Sequence, residues 1–249
     1  SIVGGADFVA YCFANVTGYQ KFGSYTGTGS SNSLTTGFKP DFLIVKETDG
    51  VDSWEMYDSL RGSNKVVYPN GNNAEVTGST LTSFDSNGFT VSSATSINES
   101  GKTYIYWAVA KNVPSNTTLA NSFKAVTYTG TGSANTISGL GFSPDLVWLK
   151  HRNNPTAHQH NLLDTVRTNG FTLHSNSSDA AESAGTNMIT AYTSDGFTLG
   201  TDNAVNQSGI NHVAWAWKAG NTWQSNLNGA IPSIVNANTA NGFSIVKYT

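Results

Sequence analysis

The sequence predicts an all-β protein built from tandem antiparallel β-sandwich repeats, of the jelly-roll or concanavalin-like kind. Three observations predict this class. Short runs rich in β-branched and aromatic residues alternate with stretches of Gly, Asn, Ser and Pro. No stretch of helical length places apolar residues three and four positions apart. Several blocks of sequence occur twice in the same order.

The repeated blocks define the organisation. "TGTGS" begins at Thr26 and again at Thr129, and "PDFLIVK" at Pro40 returns as "PDLVWLK" at Pro144. Three further pairs follow in the same order: "DSLR" and "DTVR", "SNGFTV" and "SDGFTL", and "NESGKTYIYWAVA" and "NQSGINHVAWAWK". The paired blocks recur in the same order and at a nearly constant distance of about 105 residues, which predicts duplicated domains.

The strands are expected in a fixed order within each repeat. A first strand runs into "TGTGS", where Gly27 and Gly29 can supply a positive φ or let another backbone approach closely. The Gly-x-Gly of this phrase is not a nucleotide-binding loop, because no helix follows it. A buried strand is expected next, at "DFLIVK" and "DLVWLK".

The second half of each repeat predicts a hairpin and a closing strand. "SNGF" and "SDGF" predict two-residue loops at Asn87-Gly88 and Asp195-Gly196. The closing block "HVAWAWK" has period two, which places Val213, Trp215 and Trp217 on one face of a strand.

The two ends of the chain resemble parts of a repeat. "FVAYCFANV" near the start is similar to the closing block "YIYWAVAKN", and "GFSIVKYT" at the end is similar to the opening block "SFKAVTYT". We therefore expect a window cut from a longer tandem array. Residues 1–19 would end a preceding repeat, 20–119 and 120–220 would form sandwich repeats 1 and 2, and 221–249 would hold a linker and the start of a further repeat.

Composition excludes several classes of function. Charged residues make up 12% of the chain and the net charge is -3, so the sequence offers no basic face for nucleic acid. No apolar stretch reaches membrane-spanning length. The single cysteine, Cys12, rules out a disulfide within the chain and is expected to be a buried thiol, since it lies in the apolar run "FVAYCFA". No cofactor is predicted.

The repeated blocks resemble a known family. The succession "YTGTGS", "GFSPDLVWLK", Asp-x-x-Arg, "SDGFTLG", "NQSG" and "VAWAWKAG" is similar to an uncharacterised β-rich repeat domain found in tail-fibre-like structural proteins of tailed bacteriophages, notably marine phages and cyanophages. Repeat 1 departs from this pattern at its closing block, which reads "WAVAKN". The resemblance implies a virion component and carries no catalytic residues to transfer.

Two Asp-x-x-Arg pairs recur at matching places, Asp58 with Arg61 and Asp164 with Arg167. Each aspartate could act as an acid or base tuned by its arginine. A structural ion pair is favoured, because a carboxylate beside an arginine is held ionised and is a poor general acid. A glycosidase would need two paired carboxylates in one cleft, which no spacing here indicates. The protein is therefore predicted not to be an enzyme.

All five histidines lie in repeat 2. His158 and His160 would share one face of a strand, so a metal site completed by His151 is conceivable. Solvated loop histidines are the favoured alternative, and no metal is predicted.

Aromatic residues in loop-like contexts suggest a sugar-stacking platform. The residues chosen for it are Trp54, Tyr57, Tyr68 and Trp223, whereas Trp107, Trp148, Trp215 and Trp217 fall inside strands and are expected in the core.

The sequence thus predicts a non-enzymatic phage structural protein located in the virion, as a segment of a tail fibre or of a capsid or tail appendage. Its expected partners are further copies of itself and other virion proteins. The alternative is a carbohydrate-binding host-attachment module that recognises host surface glycans.

Overall fold

The structure is a computed structural model that describes residues 7–78, 80–93, 95–111, 122–167, 170–183 and 187–249. After a first strand, β1 (Phe8–Phe13), the chain forms a unit that we call unit 1. The elements of unit 1 are β2 (Gln20–Thr26), β3 (Asn32–Thr35), β4 (Pro40–Glu47), β5 (Glu55–Asp58), β6 (Lys65–Val66), β7 (Val76–Thr77), β8 (Leu81–Asp85), β9 (Gly88–Val91), α1 (Thr95–Asn98) and β10 (Thr103–Ala110).

Unit 2 repeats this order, and three more strands follow it. The elements of unit 2 are β11 (Phe123–Thr129), β12 (Asn135–Ile137), β13 (Leu146–His151), β14 (Asn161–Asp164), β15 (Phe171–Thr172), β16 (Glu182–Ser183), β17 (Ile189–Thr193), β18 (Gly196–Leu199), α2 (Asn203–Asn206) and β19 (Asn211–Trp217). The last strands are β20 (Gln224–Asn226), β21 (Ser233–Asn238) and β22 (Phe243–Tyr248).

Each unit is an antiparallel β-sandwich. In unit 1 a four-stranded sheet of order β2-β10-β4-β5 faces a three-stranded sheet of order β3-β9-β8. In unit 2 the corresponding orders are β11-β19-β13-β14 and β12-β18-β17. The prediction of an all-β protein with two tandem sandwich-like units is therefore confirmed.

Alternation along the closing strand separates two cores. In unit 2, Ala214 and Ala216 face the interior of the sandwich, where they pack with Phe197 and other apolar residues of the small sheet. Trp215 and Trp217 face the other way, into a second core that also contains residues of unit 1. Trp215 is 0% and Trp217 1% exposed, which confirms the prediction that these residues are in the core.

The four-stranded sheets meet in an aromatic core. Phe13 of β1, Trp107 of unit 1 and Trp217 of unit 2 lie together, with ring centroids 4.3 Å apart for Phe13–Trp107 and 5.8 Å for Trp107–Trp217. Phe42 and Phe123 pack onto the same cluster, at 5.5 Å from each other. Aromatic pairs at such distances add stability beyond the area that they bury. This core joins the four-stranded sheets of the two units.

The two terminal segments pair with each other in a third four-stranded sheet, the terminal sheet, of order β1-β22-β21-β20. The first and last strands use the register that joins the opening and closing strands of each unit. A ring pair marks this register three times, as Tyr25–Tyr104, Tyr128–His212 and Tyr248–Phe8, with stacked centroids 5.1, 4.9 and 5.3 Å apart. The likeness of both ends to parts of a repeat thus has a structural counterpart.

The hairpin loops lie one residue earlier than the sequence indicates. Asp85 pairs with Gly88, so the loop residues are Ser86 and Asn87 rather than Asn87-Gly88, and in unit 2 the loop is likewise shifted off Asp195-Gly196. The glycine belongs to the strand because a Cβ on Gly88 would lie 1.8 Å from the Leu34 carbonyl oxygen of β3. Glycine here permits close approach of two backbones rather than a turn.

The expected burial of Cys12 is wrong, since the residue is exposed on β1. Its neighbours Tyr11 and Phe13 pack against the aromatic core, so alternation turns the Cys12 side chain to the opposite face of the terminal sheet. In the described residues, no helix is long and apolar enough to cross a membrane.

Candidate functional site

The best-defined polar site of unit 1 is the Asp58–Arg61 pair, at the end of β5. Both side chains are buried, and Arg61 Nε donates to Asp58 Oδ2 at 2.5 Å. The Arg61 backbone N–H donates to the other carboxylate oxygen at 2.8 Å. Trp215 of unit 2 completes the site, because its Nε1–H donates to Asp58 Oδ2 at 2.9 Å and the guanidinium lies 5.2 Å from its ring.

Asp164 and Arg167 form the equivalent site in unit 2. Arg167 Nε donates to Asp164 Oδ2 at 2.7 Å, and its backbone N–H donates to Oδ1 at 2.9 Å. The third partner comes from β1, since the Tyr11 hydroxyl donates to Asp164 Oδ2 at 2.5 Å. Burial and the neighbouring Asp164 charge raise the pKa of Tyr11 well above its usual value.

The two sites therefore share one design. Tyr11 and Trp215 occupy the same position of the closing-strand pattern, and each reaches from its own sheet to the aspartate of a neighbouring sheet. Each carboxylate is buried and accepts from its arginine side chain, from the arginine backbone N–H and from a ring of another sheet. The geometry links one sheet to the next.

A second set of contacts joins unit 1 to unit 2 through Glu75. Its carboxylate accepts from Arg61 Nη1 at 3.1 Å and from Arg152 Nε and Nη2 at 2.8 and 3.0 Å. Burial opposes the ionisation of Glu75, but the hydrogen bonds and charges of Arg152 and Arg61 outweigh it and hold its pKa below the usual value. One carboxylate thus bridges two arginines across the interface between the units.

The loop that precedes Glu75 docks on the histidine-containing part of unit 2. Trp148 Nε1 donates to His160 Nδ1 at 2.8 Å, so Nε2 of the same ring carries the proton and donates to the Tyr68 carbonyl at 3.0 Å. The Ser175 hydroxyl donates to the Pro69 carbonyl at 2.5 Å. Both ring nitrogens of His160 are therefore engaged by protein groups.

The metal candidates do not form a ligand set. The rings of His151 and His158 stack at 4.0 Å, and His151 Nε2 lies 2.8 Å from the Ala204 carbonyl. Within the described ranges, no group of three or more His, Cys, Asp or Glu side chains is arranged to hold a metal ion. The expectation of solvated loop histidines is wrong for His151 and His160, which are at most 1% exposed. His212, on β19, is 0% exposed.

We expect these histidines to make stability depend on pH. Burial lowers the pKa of His151 and of His160 to about 3 and that of His212 to about 4. Below a pH of about 6.5 the unfolded chain binds protons that the folded chain excludes, so the free energy of unfolding falls as the pH falls. Each histidine should cost about 1–2 kcal/mol between pH 7 and pH 5.

Urea unfolding at pH 7, 6 and 5 measures this loss. His212→Phe is the matched variant, because the corresponding residue of β1 is Phe8 and a phenyl ring can keep the stack on Tyr128. We expect a smaller pH dependence in this variant. An unchanged free energy between pH 7 and pH 5 in the wild-type chain would contradict the burial of neutral histidines.

The proposed aromatic platform is only partly exposed. Tyr57 is wrong as a platform residue, since it is 1% exposed and its hydroxyl bonds with Glu55 and Thr80 inside unit 1. Tyr68 is half-buried and packs against the core that contains Trp215, Trp217 and residues of unit 1. Trp54 and Trp223 keep 40% and 36% of their surface exposed, so they remain available for stacking.

Three acidic residues that lie near one another in the sequence of repeat 1, Glu47, Asp49 and Glu55, bond with other groups of unit 1. Glu47 pairs with Lys102 at 3.4 Å, and Asp49 accepts the Thr103 backbone N–H at 2.6 Å. Glu55 is buried and bonded to the Tyr57 hydroxyl. These carboxylates have separate local partners.

Sequence reasoning missed two buried asparagines that hold the phrase "TGTGS". Asn98 Oδ1 accepts the Thr28 backbone N–H at 3.0 Å, and Asn206 does the same for Thr131 at 2.9 Å. Both side chains are 0% exposed. The Gly27 prediction is confirmed, because a Cβ there would lie 2.1 Å from the Glu99 carbonyl oxygen. The sequence does contain a signal for these asparagines, because Asn98 begins "NESG" and Asn206 begins "NQSG" at matching places of the two repeats.

Comparison with known protein families assigns the chain to one of them. A family model described as a domain of unknown function, DUF7483, matches residues 1–113 and again residues 119–249. The chain therefore belongs to the DUF7483 family and carries two copies of its domain. No curated protein and no solved structure matches the chain.

Proposed function

We propose that this DUF7483 chain is a non-enzymatic structural protein of a phage virion, a repeat segment of a tail fibre or of another capsid or tail appendage. Its partners are then further copies of itself and other virion proteins. The resemblance of its repeated blocks to tail-fibre-like phage proteins supports the virion location. Few charges and many hydroxyl and amide groups suit a particle exposed to salt, which would screen surface ion pairs.

One observation supports a non-enzymatic role: the polar residues that recur in both units are bonded to other parts of the protein. Asp58 and Asp164, with their arginines, are buried and bind a ring from a neighbouring sheet. Asn98 and Asn206 are buried under "TGTGS". The polar residues that are present in both units thus link sheets and loops to one another. This supports a structural role.

Two measurements test the proposal. Antibodies raised against the purified chain should label an appendage on intact phage particles that carry the gene, as seen by immunogold electron microscopy. The purified chain should show no turnover of bacterial surface polysaccharides. Labelling confined to infected cells and absent from purified particles would contradict the virion location. Turnover of a polysaccharide by the purified chain, absent from a mock purification prepared without the chain, would contradict the non-enzymatic role.

A carbohydrate-binding host-attachment module is the second candidate, and the exposure of Trp54 and Trp223 favours it. Indole faces stack on sugar rings, and repetition of the module would raise the affinity. A glycan array on the purified chain separates the two candidates. The structural proposal expects millimolar or absent binding.

Micromolar binding that Trp54→Ala or Trp223→Ala reduces at least about tenfold would support the carbohydrate-binding module. Leu227→Ala is the control, because this residue is 73% exposed and has no aromatic face. Binding that all three variants retain would place the sugar elsewhere on the surface.

A further inference from the structure

A cleft of about 470 Å³ opens between the terminal sheet and unit 2. Its apolar walls include Val9 of β1 together with Phe171 and Leu173 of unit 2. Two cationic residues, Arg167 and Lys247, also line it, together with one anionic residue, Asp7. Phe171 is 42% exposed, a large exposure for an aromatic ring beside a core. The cleft thus combines an apolar wall with positive charge.

Arg167 has one donor group without a partner. Its side chain is 10% exposed, and Nε and Nη2 donate to Asp164, Tyr11 and the Leu162 carbonyl. Nη1 is buried, and it finds no hydrogen-bond partner in the part of the chain that the structure describes. A buried donor on a charged group that stays unpaired is costly, so this atom marks a place for an acceptor.

Unit 1 shows which acceptor fits. There the equivalent atom, Arg61 Nη1, donates to a Glu75 carboxylate oxygen at 3.1 Å. Glu75 directly precedes β7, and the residue that directly precedes β16 of unit 2 is Ala181, which lines the cleft. The strand pairs β6–β7 and β15–β16 have the same register, so Ala181 stands where unit 1 has Glu75. Unit 2 therefore keeps the arginine but lacks the carboxylate.

We propose that this cleft binds an organic monocarboxylate. The carboxylate takes the place that the Glu75 carboxylate takes in unit 1 and accepts from Arg167 Nη1. A short aliphatic or aromatic body packs against Val9, Phe171 and Leu173. Lys247 supplies a second cation, since its ion pair with Asp7 at 3.2 Å is solvent-exposed and weak. The proposal is independent of the virion role.

Benzoate and benzamide are the probes, and the full chain is used. We expect benzoate to bind in the millimolar range and to raise the melting temperature, whereas benzamide, which has the same ring without the charge, does not. In NMR spectra the Arg167 Nε–H signal should move on titration with benzoate. Equal effects of benzoate and benzamide, or an Arg167 signal that does not move, would overturn the proposal.

Ala181→Glu is the decisive variant, because it restores the carboxylate within the chain. We expect a higher melting temperature without ligand and a loss of at least about tenfold in benzoate affinity. Ala181→Met is the matched control, because it fills a similar space without offering an acceptor to Arg167 Nη1 and should not gain stability. Benzoate binding that is unchanged in Ala181→Glu would overturn the proposal.

Phe171→Ser tests the apolar wall and does not depend on how the Ala181 variants fold. We expect it to weaken benzoate more than acetate, since acetate has no body to pack on the ring. Equal loss for the two acids would show that the apolar wall takes no part and would overturn the assigned ligand class.

Discussion

Asp58→Ala should destabilise the protein more than any other single change considered, by about 3–5 kcal/mol. Asp58 is 0% exposed, and its loss leaves the buried Arg61 guanidinium without its nearest counter-charge and Trp215 Nε1 without its acceptor. Removing one partner of a buried pair leaves the other charge poorly compensated, here by Glu75, whose carboxylate is shared with Arg152, and this explains the size of the effect. Urea-induced unfolding, followed by tryptophan fluorescence, measures it.

Two variants serve as controls for Asp58→Ala. Asp52→Ala removes an exposed carboxylate and should leave the free energy of unfolding within about 0.5 kcal/mol of wild type. Asp58→Asn keeps the shape and some acceptors and should fall between the two. If Asp58→Ala were as stable as Asp52→Ala, the pair would not hold the sheets together.

Asn206→Ala should destabilise unit 2 by about 2–4 kcal/mol. The Asn206 amide is buried and donates to the carbonyls of Ser133 and Gly200, both at 2.6 Å, and its oxygen accepts the Thr131 N–H at 2.9 Å. Its removal leaves buried backbone groups without partners and also opens a small cavity. Thermal and urea unfolding of the variant measure the loss.

Asn228→Ala is the matched control, because Asn228 is exposed in the loop between β20 and β21. Hydrogen exchange gives a second measurement, since the Thr131 amide should lose protection in Asn206→Ala while amides of unit 1 keep theirs. Unchanged protection at Thr131 would mean that the loop is held by other contacts.

The repeats made much of the fold predictable. Blocks such as "PDFLIVK" and "HVAWAWK" carry period two or continuous apolar character, and their recurrence fixed the order of strands in both units. The short strand Glu55–Asp58 was harder to detect, because four residues give too little periodicity. Tyr57 was therefore placed in a loop, although it is buried.

Contacts between units could not be predicted in the same way. Trp215 reaches Asp58 across 157 residues, and a repeat pattern states which residues are equivalent but not which faces meet. From their local sequence, Lys150 and His160 would be expected in solvent, yet both are buried, and they bond with the Asn72 and Tyr68 carbonyls of unit 1. Their burial depends on neighbours that lie far away along the chain.

The pairing of β1 with β22 has a mechanical consequence. Phe8 lies opposite Tyr248, and the Thr249 hydroxyl donates to the Asp7 carboxylate, so the two ends of this strand pair lie side by side. A pulling force applied to both ends would load the backbone hydrogen bonds one after another, as in opening a zipper, rather than together in shear. The strand pair should therefore yield at low tension.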